Sequence, residues 1–132
     1  MSAVAGKCDF DKLLAPVARH KILETYNKRF NTVKCGQTAV AAALQFIQEH
    51  LLAWRDIATL QIGLTQRDWH DQTYESPSSR KRPQNRDAAN HSVWYSVAAA
   101  IVGGELGPDQ FEIEKLTAQE ILNLIDRTSL YW

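Results

Sequence analysis

Asn85-Arg-Asp-Ala-Ala-Asn-His-Ser-Val-Trp-Tyr-Ser-Val-Ala-Ala-Ala-Ile-Val-Gly-Gly104 is the stretch that decides how this chain is read. A basic, Pro- and Ser-rich loop from Ser76 to Arg86 leads into it. Asn90 is an N-cap candidate, because its short side chain can accept a hydrogen bond from a backbone N–H of the first turn. An Ala-rich helix is expected to follow and to stop at Gly103-Gly104, where glycine permits the left-handed conformation that ends helices. Trp94, Val97, Ala98 and Ile101 would form its apolar face. His91 and Tyr95, four residues apart, share a neighbouring face near the helix N-terminus, where the backbone dipole favours anions. An imidazole and a phenol on a rigid helix start beside a cationic loop suit a carboxylate-rich ligand. The same pair also fits plain packing with satisfied polar tips.

Upstream, the spacing of Ile22, Tyr26 and Phe30 predicts a helix over 11–30 that begins within a turn of Pro16. Thr38 to Ala53 reads as a strong helix, with Val40, Leu44, Ile47 and Leu51 on one stripe and Gln45, Gln48 and Glu49 opposite. From Asp56 to Thr65 the period changes to two, with Leu60, Ile62 and Leu64 alternating with polar residues or glycine, which predicts a strand with one buried face. Arg67 to Asp87 is polar and punctuated by Pro77 and Pro83, and reads as a long loop. Its cluster Arg80-Lys81-Arg82, with Arg86 beyond, has three readings: a solvated loop, a nucleic-acid patch, or a cationic loop facing carboxylates. Downstream, a short helix is expected over Asp109 to Lys115. Thr117 and Glu120 match a capping box opening a last helix that buries Ile121, Leu122, Leu124 and Ile125. Ser129 to Trp132 reads as the start of a strand.

The 132 residues are expected to form one domain, 1–132. Fifteen Lys and Arg balance fifteen Asp and Glu, so the net charge of zero gives no support to a dedicated nucleic-acid binder. No apolar run approaches the ~20 residues that span a membrane, and the first residues carry no signal-peptide core. The expectation is a protein of the cytoplasm or another soluble intracellular compartment, with no nucleic-acid and no membrane partner. Cys8 and Cys35 do not make a disulfide framework, and His20, His50, His70 and His91 show no metal-ligand spacing, so no metal site is expected.

The run Asn90-His91-Ser92-Val93-Trp94-Tyr95 through Gly103-Gly104-Glu105 resembles the Asp-His-Ser-x-x-Tyr-x-x-Ala-x-x-Leu-x-x-Gly signature of the 2-methylcitrate dehydratase family, which includes cis-aconitate decarboxylase and iminodisuccinate epimerase. A second block agrees in order: Lys28-Arg29-Phe30, then Gln37-Thr38-Ala39-Val40, where the family shows Lys-Arg-(Tyr/Phe)-Pro and Gln-Thr-Ala. The resemblance runs from about Leu13 to Ile125. It implies the smaller α+β domain of a longer enzyme, truncated at its C-terminal strands: helices packed on a small, incomplete antiparallel sheet. In the family an all-helical domain closes the active-site cleft, and the small domain contributes to a homodimer.

Carried over residue by residue, the resemblance implies cofactor-free lyase chemistry on a tricarboxylate such as 2-methylcitrate. His91 and Tyr95 would be catalytic, and Lys28, Gln37, Arg80, Arg82 and Arg86 would bind substrate. The sequence departs from the pattern at three places. Asn31 stands for the usual proline, and Asn90 for the aspartate before the histidine. Cys35 stands where many members have a histidine; other members have it near Val33. Cys35 is open to two readings, a thiol general acid or a small buried hydrophobe. Two functions are therefore carried forward. One is an alkylcitrate dehydratase, acting alone or with a partner that supplies the helical domain. The other is a non-catalytic truncated paralogue acting as an interaction subunit, pairing with itself or with a full-length paralogue.

Overall fold

The computed structural model describes residues 21–74 and 77–132, together with Asp9, Asp11 and Pro16. Among the described residues the chain forms α1 (Gly36–His50), β1 (Leu60–Gly63), α2 (Gln66–Thr73), α3 (Pro77–Lys81), α4 (Arg86–Asn90), α5 (Val93–Gly103), α6 (Ile113–Leu116), α7 (Gln119–Asp126) and β2 (Thr128–Tyr131). Single 3-10 turns lie at Lys21–Glu24, Trp54–Asp56 and Pro108–Phe111.

The core is built around α5. Every residue from Val93 to Ile101 is buried, so these first turns of the helix have no solvent face. An Ala-rich sequence makes this possible: Ala98, Ala99 and Ala100 let neighbouring backbones approach closely, and a helix apolar all round belongs inside a fold. It packs against α1 and α7, with α3 and α4 at its N-terminal end. Val40 and Ile47 reach it from α1, and Ile121, Leu124 and Ile125 from α7. Gly104, at φ 74°, closes α5 in the left-handed conformation that the glycine pair implied.

The α+β class holds, and the sheet differs from expectation in direction. β1 and β2 pair in parallel, from Leu60 opposite Thr128 to Gly63 opposite Tyr131. The helices α2 to α7 all lie between the two strands, and so long a crossover lets the second strand return in the same direction, which a hairpin cannot do. Within β1 the alternation holds: Ile62 is buried, while Gln61 and Gly63 are exposed.

The polar segment 67–87 is not a loop but carries three short helices, each started by local chemistry. The Thr65 hydroxyl caps α2 by accepting from the Asp68 N–H at 3.2 Å. Pro77 opens α3, where its missing N–H costs nothing. The Asn85 side-chain oxygen Oδ1 caps α4 by accepting from the Ala88 N–H at 2.8 Å. At the last helix the expected capping box does not form. The N-cap is Ala118, with no side-chain bond, and the Thr117 hydroxyl instead donates back to the Glu114 carbonyl at 3.3 Å.

The first half of the expected 11–30 helix falls largely outside the described residues. In the second half only the 3-10 turn is helical, and Ile22 and Tyr26 are 72% and 66% exposed, so no core face draws that stripe into a helix.

Candidate functional site: the joint between two helices at His91

Asn90 and His91 do not start the central helix. Asn90 is the last residue of α4, and His91 follows it as the C-cap at φ −92°, ψ 1°, the sparsely populated bridge between the helical and extended regions. Ser92 is the true N-cap of α5, its hydroxyl accepting from the Tyr95 N–H at 3.0 Å. The signature therefore folds as helix, break, helix, with the histidine at the break.

This break separates the two residues expected on one face. The His91 side chain is 59% exposed. Tyr95 is completely buried: its ring lies 5.7 Å from that of Phe111, and its hydroxyl donates to the Gln110 carbonyl at 2.5 Å. Burial pushes the Tyr95 phenol up to about 12. The phenol is a core anchor between α5 and the 108–111 turn, whereas the imidazole is exposed.

The His91 ring is oriented by its own helix. Its Nδ1 lies 2.9 Å from the Asp87 carbonyl oxygen, one turn back. A carbonyl only accepts, so Nδ1 carries the proton and Nε2 keeps its lone pair for chemistry. The Asp87 carboxylate sits 3.6 Å from the same Nδ1, 90% exposed. Asn90 offers the imidazole no carboxylate, and Asp87 brings one from the i,i−4 position.

The backbone of the joint is held from three sides. Gln72 of α2, 2% exposed, donates through Nε2 to the His91 carbonyl at 3.1 Å and accepts through Oε1 from the Val93 N–H at 3.0 Å. Arg80 of α3 donates to the same His91 carbonyl, and its own carbonyl accepts from the Ser92 hydroxyl at 2.5 Å. The Val33 N–H donates to the Asn90 carbonyl at 2.8 Å. That third contact ties the joint to the segment before α1.

There the Gln37 side chain accepts from the Phe30 N–H at 3.1 Å and donates to the Phe30 and Thr32 carbonyls at 2.9 and 3.2 Å. Lys28 donates to the same Thr32 carbonyl at 3.1 Å, with its side chain otherwise on the surface. Thr32 Oγ1 and Ser96 Oγ, both buried, lie 2.6 Å apart and pin the segment to α5. Gly36 allows this approach, because a Cβ there would stand 2.6 Å from Thr32 Oγ1.

Of the residues expected in the site, His91, Arg80, Lys28 and Gln37 thus belong to one connected network, with Gln37 as a backbone clamp. Arg82 and Arg86 do not join it. Arg82 pairs with Asp126 of α7, and Arg86 with Glu112 before α6. Gln72, Asp87, Ser92 and Thr32 were not singled out from sequence. Asp87 was readable from its i,i−4 spacing to His91, whereas Gln72 gave no signal beyond an unremarkable place in a polar run.

Cys35 is a half-buried free thiol on the wall of an open cleft of about 1230 Å³ between α1 and β1. Burial, then the Asp68 carboxylate, push its thiol up, so it stays protonated near neutral pH and is no thiolate nucleophile. Ala39, Ala43, Phe46, Leu60 and Ile62 make the cleft largely apolar, and His91 is not part of its wall.

The fold is an α+β domain in which a buried helix presents a histidine at its entrance. The family model of the MmgE/PrpD C-terminal domain matches residues 30–131, and the chain belongs to that family. The match agrees with the 2-methylcitrate dehydratase resemblance carried by the two sequence blocks. No curated protein matches the chain. No helix among the described residues is long and apolar enough to cross a membrane.

Proposed function

We propose that the surface at the α4–α5 joint is one wall of an alkylcitrate dehydratase site, with His91 as its proton carrier. The observation that supports this reading is the His91 ring itself: exposed, with its Nδ1 proton committed to the Asp87 carbonyl and its Nε2 free. In the reaction, Nε2 takes the proton alpha to a substrate carboxylate. The released electron pair forms the C=C bond, the neighbouring C–O bond breaks, and the hydroxyl leaves as water with a proton from a general acid. Lys28 and Arg80 supply positive charge toward the substrate carboxylates. The chemistry needs no cofactor. Such a step gains from excluding water, and an exposed imidazole needs an opposing wall. The family's all-helical domain is that wall, carried by a partner or by another part of the protein, and it brings the general acid.

The test is incubation of the purified chain with 2-methylcitrate and with cis-aconitate, alone and with a helical domain of the family, followed by NMR. Turnover that disappears in His91→Ala is expected. No change in either compound under both conditions overturns the reading.

A second reading, a non-catalytic interaction subunit, draws on exposed apolar side chains. Phe46, Tyr131 and Trp132 are 54%, 55% and 66% exposed, and the α1–β1 cleft is open. A monomer in light scattering that retains no family member in a pull-down counts against it.

A further inference from the structure

The His91 joint is interrupted backbone, and the way it is repaired is specific. Where α4 stops and α5 begins, the His91 carbonyl and the Val93 N–H, on either side of Ser92, belong to neither helix ladder. Both point inward, where an unpaired backbone group costs as much as a lost hydrogen bond. A single side chain from another element satisfies them both. Gln72, 2% exposed, donates to the carbonyl and accepts from the N–H, replacing backbone that the break removed. A glutamine amide carries its donor and its acceptor on two separate atoms at the end of one side chain, so it meets both groups at once. Removing its acceptor strands the Val93 N–H, and removing its donor leaves the His91 carbonyl with Arg80 alone.

We infer that Gln72 is a positioning residue for His91, holding the joint so that the ring keeps its Nδ1–H···Asp87 bond and points Nε2 outward. This rests on the reading of His91 as the proton carrier, but its first test does not require turnover. The ring and the clamp are mechanically continuous: Gln72 grips the carbonyl of the residue whose imidazole is being aimed. Arg80 grips the same oxygen from α3, so the carbonyl receives two donors and its plane is fixed. Loss of the amide leaves Arg80 alone on the carbonyl and the Val93 N–H unpaired.

Long-range ¹H–¹⁵N NMR of the imidazole, with His91→Ala to assign it among the four histidines of the chain, reads the tautomer directly. At a pH where the ring is neutral, the intact chain should hold it in the Nδ1–H form. Gln72→Met, which fills the space but has neither donor nor acceptor, should shift the ring to a tautomer mixture while the far-ultraviolet spectrum stays folded. Gln72→Glu keeps the acceptor for Val93 and loses the donor, and should show the same shift. Where the chain turns over substrate, kcat should fall roughly 10- to 100-fold, as expected for a misaimed catalytic group, with KM within about twofold.

A folded Gln72→Met or Gln72→Glu chain with an unchanged His91 tautomer overturns the inference and leaves Gln72 a purely structural residue. Should both variants unfold, the side-chain amide protons of Gln72 in the intact chain decide. Slow exchange with solvent supports the clamp, and exchange at the rate of an exposed glutamine overturns it. A Gln72-dependent tautomer in a chain that never turns over an alkylcitrate sustains the positioning role and rejects the dehydratase reading.

Discussion

Replacing Tyr95 with phenylalanine separates the two roles that the signature tyrosine can have. The hydroxyl is fully buried and donates to the Gln110 carbonyl, fastening α5 to the 108–111 turn. Tyr95→Phe deletes the donor and strands that carbonyl. The net loss of the bond together with the unpaired acceptor amounts to roughly 1–2 kcal/mol, with little from the vacated volume because the ring remains. For a chain of this size that lowers the midpoint of thermal unfolding by roughly 3–10 °C.

The phenol also carries a pH signature. Its folded value of about 12 lies above the ~10 of an unfolded tyrosine. Its contribution is therefore fully present below pH ~10 and declines as pH rises toward about 12, because the unfolded chain gives up the proton first. Urea titrations at neutral pH, and across that alkaline window, should show Tyr95→Phe less stable at neutrality and less sensitive to alkali than the parent. Absorbance at the tyrosinate band should lose its latest-titrating component. Any turnover of the chain should survive the substitution. A stability change below about 0.3 kcal/mol, or abolished turnover in a fully stable variant, would refute a structural role for this tyrosine.

The Thr32–Ser96 hydroxyl pair is buried, so Ser96→Ala should cost roughly 1–2 kcal/mol in urea unfolding. Thr32→Val with Ser96→Ala should cost less than the two single changes summed, because no polar group is then stranded. Leu51 ends α1 in the left-handed region at φ 53° with its side chain 92% exposed, so Leu51→Gly should raise stability by about 1 kcal/mol in the same assay. Gly36→Ala should destabilise by roughly 1–3 kcal/mol, since its Cβ would press on the Thr32 hydroxyl, and thermal unfolding reads the difference.

The central helix was legible because its signals are local: an alanine run, large apolar neighbours and a terminal glycine pair. Its first residue was not, because Asn85, Asn90 and Ser92 are all competent caps within eight positions. Only packing decides that Asn85 and Ser92 serve. That shift moved His91 from a helix face to a break and parted it from Tyr95. Strand direction was equally hidden, since alternation of Leu60, Ile62 and Leu64 is the same in parallel and antiparallel pairs. Arg82 and Arg86 lie outside the His91 network for a non-local reason: they find carboxylates 44 and 26 residues away, and one residue's sequence neighbourhood carries no trace of them. Surface pairs of this kind contribute about 0–1 kcal/mol, so they specify little of the fold. Lys28 and Gln37 stood out only through the family pattern, and in the fold both donate to the Thr32 carbonyl.

The most direct measurement of the central claim is a titration of the ¹⁵N-labelled chain with 2-methylcitrate, followed residue by residue in NMR spectra. The account predicts saturable shifts at the His91 ring, at Lys28 and in the backbone from Thr32 to Lys34, and their loss in Lys28→Ala. Shifts confined to the α1–β1 cleft, or none at all in the presence of the helical domain, would contradict it.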